Sequence, residues 1–161
     1  MKRVQVSALC VALTSLAGAA WAEAAPDGAK VTVSYGPKAE KALSETYGNK
    51  ERTTIDEMVI DSIAEALGNK AARVEVVVND ITANRPTFKQ LNDRSGLSFQ
   101  SFGIGGADVS GKAYDASGKL IGEVTYDWYG DIDFASTAWV WSDADRAIRQ
   151  FSRQLSRAVQ D

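Results

Sequence analysis

The chain predicts a small α+β fold, a mainly antiparallel sheet in the order β-α-β-β-β-α with two helices on one face. Three observations carry that expectation. Two segments, 54–67 and 142–159, repeat apolar residues at helical spacing, while four others alternate apolar and polar residues with period two. The last two alternating segments are joined by Asp115-Ala116-Ser117-Gly118, a hairpin turn in composition and length. Helices that each own one apolar stripe, beside a sheet with one apolar face, bury both most simply by stacking in two layers.

The first element is an export signal. Met1-Lys2-Arg3 is followed by an apolar run from Val4 to Ala20 and by Ala20-Trp21-Ala22, a small-x-small cleavage site. Residues 1–22 are read as a signal peptide, so the mature chain starts at Glu23 and keeps no transmembrane segment. The only cysteine, Cys10, lies in the removed part. It follows Leu9 and only a short apolar stretch, which is the wrong context for lipidation. Residues 23–29 are small and polar and read as a flexible lead-in; residues 30–161 are expected to form a single domain.

Val31, Val33 and Tyr35 alternate with Thr32 and Ser34, a half-buried strand stopped by Gly36-Pro37. Residues 38–53 are charged and weakly patterned. They read as a loop with one helical turn at Ala39–Ser44. Thr54-Ile55-Asp56-Glu57 has the form of a capping box, in which Thr54 and Glu57 satisfy each other's amides. The helix it opens shows Ile55, Val59, Ile63 and Leu67 on one face and stops at Gly68-Asn69. Val74, Val76 and Val78 then alternate with Arg73 and Glu75 as a second strand, reaching Ile81.

Residues 83–100 are too long for a plain connection and read as a functional excursion or a flap. The hairpin follows. Pairing Tyr114 with Lys119 sets Val109 opposite Val124, Gly111 opposite Gly122 and Ala113 opposite Leu120, with Tyr126 and Trp128 on the same inner parity. The outer face is polar, as expected for a sheet wet on one side. Gly111, Gly122 and the alanines keep the inner face low, so that a helix can approach closely. That helix is capped by Ser142, has Asp143 and Asp145 in its first turn, and buries Ala144, Ile148, Phe151, Leu155 and Val159.

This layout, from signal peptide to terminal amphipathic helix, resembles several uncharacterised families of bacterial envelope proteins. It is also similar to the amino-terminal domain of the Tol-system periplasmic protein and to lipoprotein activators of cell-wall synthases. The resemblance is one of layout and implies an envelope protein. No motif matches residue by residue, and the absence of a lipidated cysteine departs from the lipoprotein members.

Composition narrows the chemistry. The chain has no histidine, and the mature part has no cysteine. Ser-His-Asp and Cys-His nucleophiles are therefore excluded, as are thiolate and imidazole metal sites. No catalytic residue, metal ligand set or cofactor is assigned. Loss of Lys2 and Arg3 leaves 16 basic against 21 acidic side chains in the mature chain, a net charge of −5. That sign disfavours nucleic acid as a partner. An exported domain of this size without cysteine points to the periplasm of a Gram-negative envelope, or to secretion.

Three groups remain as candidate sites. Asp127, Asp131 and Asp133 stand beside Trp128 and Tyr129, a combination compatible with glycan hydrolysis. Gly103-Ile104-Gly105-Gly106 leads into a strand and so reads as a bulge or hinge, not a phosphate loop. Among the aromatics, Tyr126 and Trp128 are assigned to the core, and Tyr129 and Trp139 are candidates for stacking on a ligand. Arg146, Arg149, Arg153 and Arg157 form a basic stripe opposite Phe151 and Leu155, with no later acid in the helix to neutralise them. The reading that follows is an exported, non-enzymatic binding or accessory protein of the envelope. Its partner is an envelope protein, a glycan or an anionic surface. The alternatives are a carboxylate-dependent glycan-acting enzyme and an assembly protein acting through a sheet edge.

Overall fold

A computed structural model describes residues 22–24 and 28–159. Five strands lie in sequence order along one sheet: β1 (Ala22–Ala24), β2 (Lys30–Tyr35), β3 (Arg73–Thr82), β4 (Gly106–Tyr114) and β5 (Leu120–Tyr129). β2 and β3 are parallel and every other pair is antiparallel, so the α+β class and the β-α-β-β-β-α order hold. The signal peptide read over 1–22 lies outside the described residues except for Ala22, the first residue of β1. Part of the segment read as a loose lead-in is also strand, since Glu23 pairs with Val31 and Ala24 with Lys30.

Between β2 and β3 the sequence reading needs two corrections. Residues 38–53 are not mainly loop. Pro37–Lys41 (α1) runs on as a π-helical turn, Ala42–Tyr47, before Gly48 ends it at φ 101°. Ala39 and Leu43, four residues apart, are both fully buried, and this anchor holds the turn where propensity is weak. The long helix α2 (Glu51–Leu67) starts three residues before Thr54, so the expected capping box is not used. Glu51 is held in place by tertiary contact instead: its carboxylate accepts the indole N–H of Trp141 at 2.8 Å. A capping box does form at Thr87 and Gln90, opening α3 (Phe88–Asp93) inside the excursion.

After a short helix, α4 (Ile132–Ala135), the helix α5 (Ser142–Ala158) packs on β4, β5 and α2, which puts both long helices on one face of the sheet. The core between the layers includes Val31, Ile55, Val59, Ile63, Val74, Val76, Val78, Val109, Ile148, Phe151 and Leu155. The low patch expected on the inner face is where α5 comes closest. A Cβ on Gly111 would stand 2.7 Å from Phe151 Cζ, and one on Gly122 would stand 2.9 Å from Val159 Cγ2. Where α2 and α5 touch, Ser62 Oγ donates to Ser152 Oγ at 2.9 Å, and Ser152 donates to the Ile148 carbonyl.

The start of α5 is fixed from a distance. Ser142 is its first helical residue, and its hydroxyl accepts the Trp139 amide rather than capping the helix. Asn84, at the end of β3 and 1% exposed, takes the capping role. Its Oδ1 accepts the Asp143 amide at 2.9 Å, and its Nδ2 donates to Asp143 Oδ2 at 2.5 Å.

The hairpin register differs by two residues from the one expected. Val109 faces Tyr126, Gly111 faces Val124 and Ala113 faces Gly122. The cause is Asp115, whose carboxylate accepts the amides of both Ser117 and Lys119 and pulls Lys119 into the loop. A bond from the Ser117 hydroxyl and, after it, those from the amides hold its carboxyl below the usual aspartate range. Pairing then begins at Tyr114 and Leu120, and an irregularity next to it restores the parity of the two faces. Leu120 ends up exposed, while Gly122, Val124, Tyr126 and Trp128 keep the inner side.

Candidate functional site

The helical wheel puts the four arginines of α5 together, but packing against α2 divides them. Arg149 turns towards α2. Its guanidinium lies 3.0 Å from the Asp145 carboxylate and 3.5 Å from that of Glu65. The expectation that nothing neutralises the stripe is therefore wrong for Arg149. Asp145 sits on the same face, and Glu65 arrives from another helix.

Arg146 and Arg157 turn the other way, along β5, and Arg153 stands between, bordering the β5 side and also a recess it shares with Ser62, Glu65 and Arg149. With Gln150 these three arginines follow an i, i+4, i+7, i+11 row on the outer flank of the helix. None of the three has a carboxylate within ion-pair distance among the described residues. Arg146 stacks over the Trp128 ring, 4.9 Å from its centre. Arg153 donates from Nε to the Arg149 carbonyl at 3.3 Å.

The row and the strand enclose two adjoining open recesses. One, of about 280 Å³, is lined by Tyr126, Trp128, Arg146, Gln150 and Arg153. The other, of about 370 Å³, is lined by Val124, Gln150, Arg153, Gln154, Arg157 and Ala158. Both are free of carboxylates. Their floor is the inner side of β5, where Val124, Tyr126 and Trp128 are only half-buried, β5 being the last strand of the sheet among the described residues. The sequence places Tyr126 and Trp128 in the core; the structure places them at its half-buried margin. The seven- and four-residue spacings of Arg146, Gln150, Arg153 and Arg157 were the available signal for this face.

The two aromatic candidates do not join this groove. Tyr129 is on the outer face of the sheet. Burial and the carboxylates of Asp80, Asp108 and Asp127 push its phenol up to about 12. Those three aspartates stand directly opposite one another across β3, β4 and β5. Trp139 projects from the loop before α5 and is 56% exposed. It shares that end of the molecule with the excursion, where Phe88 and Phe99 meet edge to face. Arg85 ties the two segments together by donating to the carbonyls of Phe99, Ser136 and Ala138.

Asp127, Asp131 and Asp133 are not gathered into one recess. Asp127 belongs to the aspartate row on the sheet, whereas Asp131 accepts the Asp133 amide in an exposed turn. Asp131 and Asp133 thus organise that turn. The strongly perturbed pair is elsewhere and serves packing. Tyr35 donates to Asp56 at 2.6 Å, joining β2 to α2, and burial raises both groups above their ordinary values.

No helix among the described residues is long and apolar enough to cross a membrane. No protein-family model, curated protein or solved structure matches the chain.

Proposed function

We propose that this is an exported, non-enzymatic binding protein of a bacterial envelope, and that its contact surface is the groove between α5 and β5. The observation that carries the reading is the row Arg146, Arg153 and Arg157. These are three cations without carboxylate partners on a chain of net negative charge, set above half-buried aromatics. Surface arginines on such a chain ordinarily find acids nearby, as Arg149 does. A row left without them favours an anionic partner, and the aromatic floor supplies apolar area and stacking for it. The export signal at residues 1–22 supports the periplasm as the place of action.

Replacement of Arg146, Arg153 and Arg157 by glutamine tests the surface. Binding to poly-glutamate, and to vesicles containing anionic lipid, is to be measured at low and at physiological salt. The triple variant is expected to lose salt-sensitive binding, because exposed charge contacts are screened by ions. Its stability is expected to stay within about 1 kcal/mol of the parent. Arg149→Gln is the control and should bind as the parent does. Equal binding by the parent and the triple variant would remove the groove as the contact surface. For the location, the exported product should begin at Glu23 by intact mass. Retention of Met1 would overturn the export reading.

A further inference from the structure

The backbone beside the arginine row carries its own recognition chemistry. Among the described residues β5 pairs with β4 alone, so a strand of ten residues has one open edge. The Gly130 amide donates to the Gly105 carbonyl, which fixes the phase of the β4–β5 ladder. Antiparallel bonding alternates with period two, and the register runs without interruption from Gly106 and Tyr129 to Ala113 and Gly122. It follows that Gly122, Val124, Tyr126 and Trp128 spend their backbone groups on β4. Glu123, Thr125, Asp127 and Tyr129 turn their N–H and C=O groups to the open edge.

Such an edge is a template for another strand, and natural sheets usually blunt it with proline, lysine, a bulge or a covering element. From Gly122 to Tyr129 the described residues show no proline, lysine or bulge, and the charges on this stretch, Glu123 and Asp127, both lie on the outer face. The two faces of the edge differ in charge. On the helix side the arginine row awaits an anion. On the outer side Glu123 is paired with Lys112 at 3.3 Å, and Asp127 stands opposite Asp108.

We infer that the open edge of β5 takes up an extended acidic segment of a partner polypeptide as a sixth strand, with its acids at alternate positions facing Arg146, Arg153 and Arg157. This rests on the groove being the contact surface and adds how the partner is held. Side chains of an added strand alternate between the faces of the sheet. Main-chain bonds to Thr125 and its neighbours provide the attachment, and alternate acids provide the selection. Residues on the other side of the segment must be neutral or basic, because they meet the aspartates. A second copy of this chain is the poorer occupant. Two β5 strands paired about a two-fold axis would bring two arginine rows together on one face.

The test uses a labelled ten-residue peptide in which glutamate alternates with threonine and valine, followed by fluorescence anisotropy. The comparison peptides are one of the same composition with its glutamates in a single block, and the alternating peptide with a central proline. The alternating peptide is expected to bind about tenfold or more tightly than either, a difference of about 1.4 kcal/mol. Thr125→Pro removes an outward N–H that the fold does not use, a position where a strand tolerates proline. This variant should retain the parent's circular dichroism and lose the peptide. If it fails to fold, the proline peptide decides the matter.

Equal affinity for the alternating and block peptides, with dependence on the arginines, would overturn strand addition and leave the basic groove standing. Absence of arginine-dependent binding to any peptide, to poly-glutamate and to anionic vesicles would overturn both. Capture by anionic vesicles without peptide binding, or self-association abolished by Thr125→Pro, would show that the edge or groove serves another occupant and would sink the inference.

Discussion

Gly111→Ala should cost this fold more than its single methyl group suggests. In the middle of a strand, alanine is ordinarily better than glycine by roughly 0.5–1 kcal/mol. Here the new Cβ would lie 2.7 Å from Phe151 Cζ and 2.9 Å from the Glu75 carbonyl oxygen. Favourable carbon–carbon separation is about 3.5–4.0 Å, so α5 must lift by about 1 Å or Phe151 must leave its position. Phe151 is fully buried in the core between α5 and the sheet, so its ring cannot turn out to solvent without opening that core. Overpacking of this kind costs roughly 1–3 kcal/mol, which outweighs the backbone gain and leaves a net loss of about 1–2 kcal/mol. Urea and thermal denaturation of the parent, Gly111→Ala, Phe151→Leu and the double variant measure it. Leucine lacks the ring atom that clashes, so the double variant should be more stable than the sum of the single changes implies, by about 0.5 kcal/mol or more. The recovery should be incomplete, because the Glu75 carbonyl remains. Gly122→Ala, whose Cβ would stand 2.9 Å from Val159 Cγ2 at the C-terminal end of α5, should cost less, because a helix end gives way more readily than its middle. A Gly111→Ala variant as stable as the parent, or strict additivity with Phe151→Leu, would refute the close approach of α5 to the sheet.

Other expectations follow from contacts already described. Ser152→Ala should destabilise by about 1–3 kcal/mol, since it leaves the buried Ser62 hydroxyl without its acceptor. The Ser62→Ala/Ser152→Ala pair should recover part of that loss in chemical denaturation. Asn84→Ala should cost about 2–4 kcal/mol, because it removes both a helix cap and a hydrogen bond to the Asp143 carboxylate; a loss below about 0.5 kcal/mol would argue against the cap. Asp108→Asn relieves like charges opposite it on both sides and should stabilise by about 0.2–1 kcal/mol. It should also bring Tyr129 down towards the ordinary tyrosine value. The raised phenol favours the fold at pH below about 10, and that contribution is lost as pH climbs through about 12. The Asp108→Asn variant should therefore show earlier phenolate absorbance, judged against Tyr129→Phe.

Most of the architecture was legible because it depends on periodicity. The valine alternation of β3 and the apolar faces of α2 and α5 each report one buried side, and burial is what the period encodes. What escaped was set by single side chains, most of them distant in sequence. Leu43 and Ala39 turned a charged, weakly patterned stretch into helix because the core needed both. The start of α2 moved three residues to meet an indole from the opposite end of the chain. The hairpin register was lost through one carboxylate. Asp115 binds two amides in place of one, and parity alone cannot distinguish registers that differ by two. The Thr87-Phe88-Lys89-Gln90 capping box was readable by the same rule applied at Thr54. The residues around it carry no amphipathic pattern, so the motif there opens only a short helix.

The candidate site was only half legible, and the missing half is topological. Arg146, Arg149, Arg153 and Arg157 fall within one sector of a helical wheel, so nothing local distinguishes Arg149 from the rest. Glu65, on another helix, makes the distinction by neutralising it. Equally, the alternation of β5 is the same whether the strand is central or terminal. Its half-buried Tyr126 and Trp128 look like core in sequence because their parity is that of core. Only the order of strands leaves them at a margin, with open backbone on one side and uncompensated arginines above. A candidate surface made this way contains no residue type that is unusual for its element. It arises because an edge strand and the outer flank of a helix end beside each other, so the chemistry belongs to the junction and not to either segment alone.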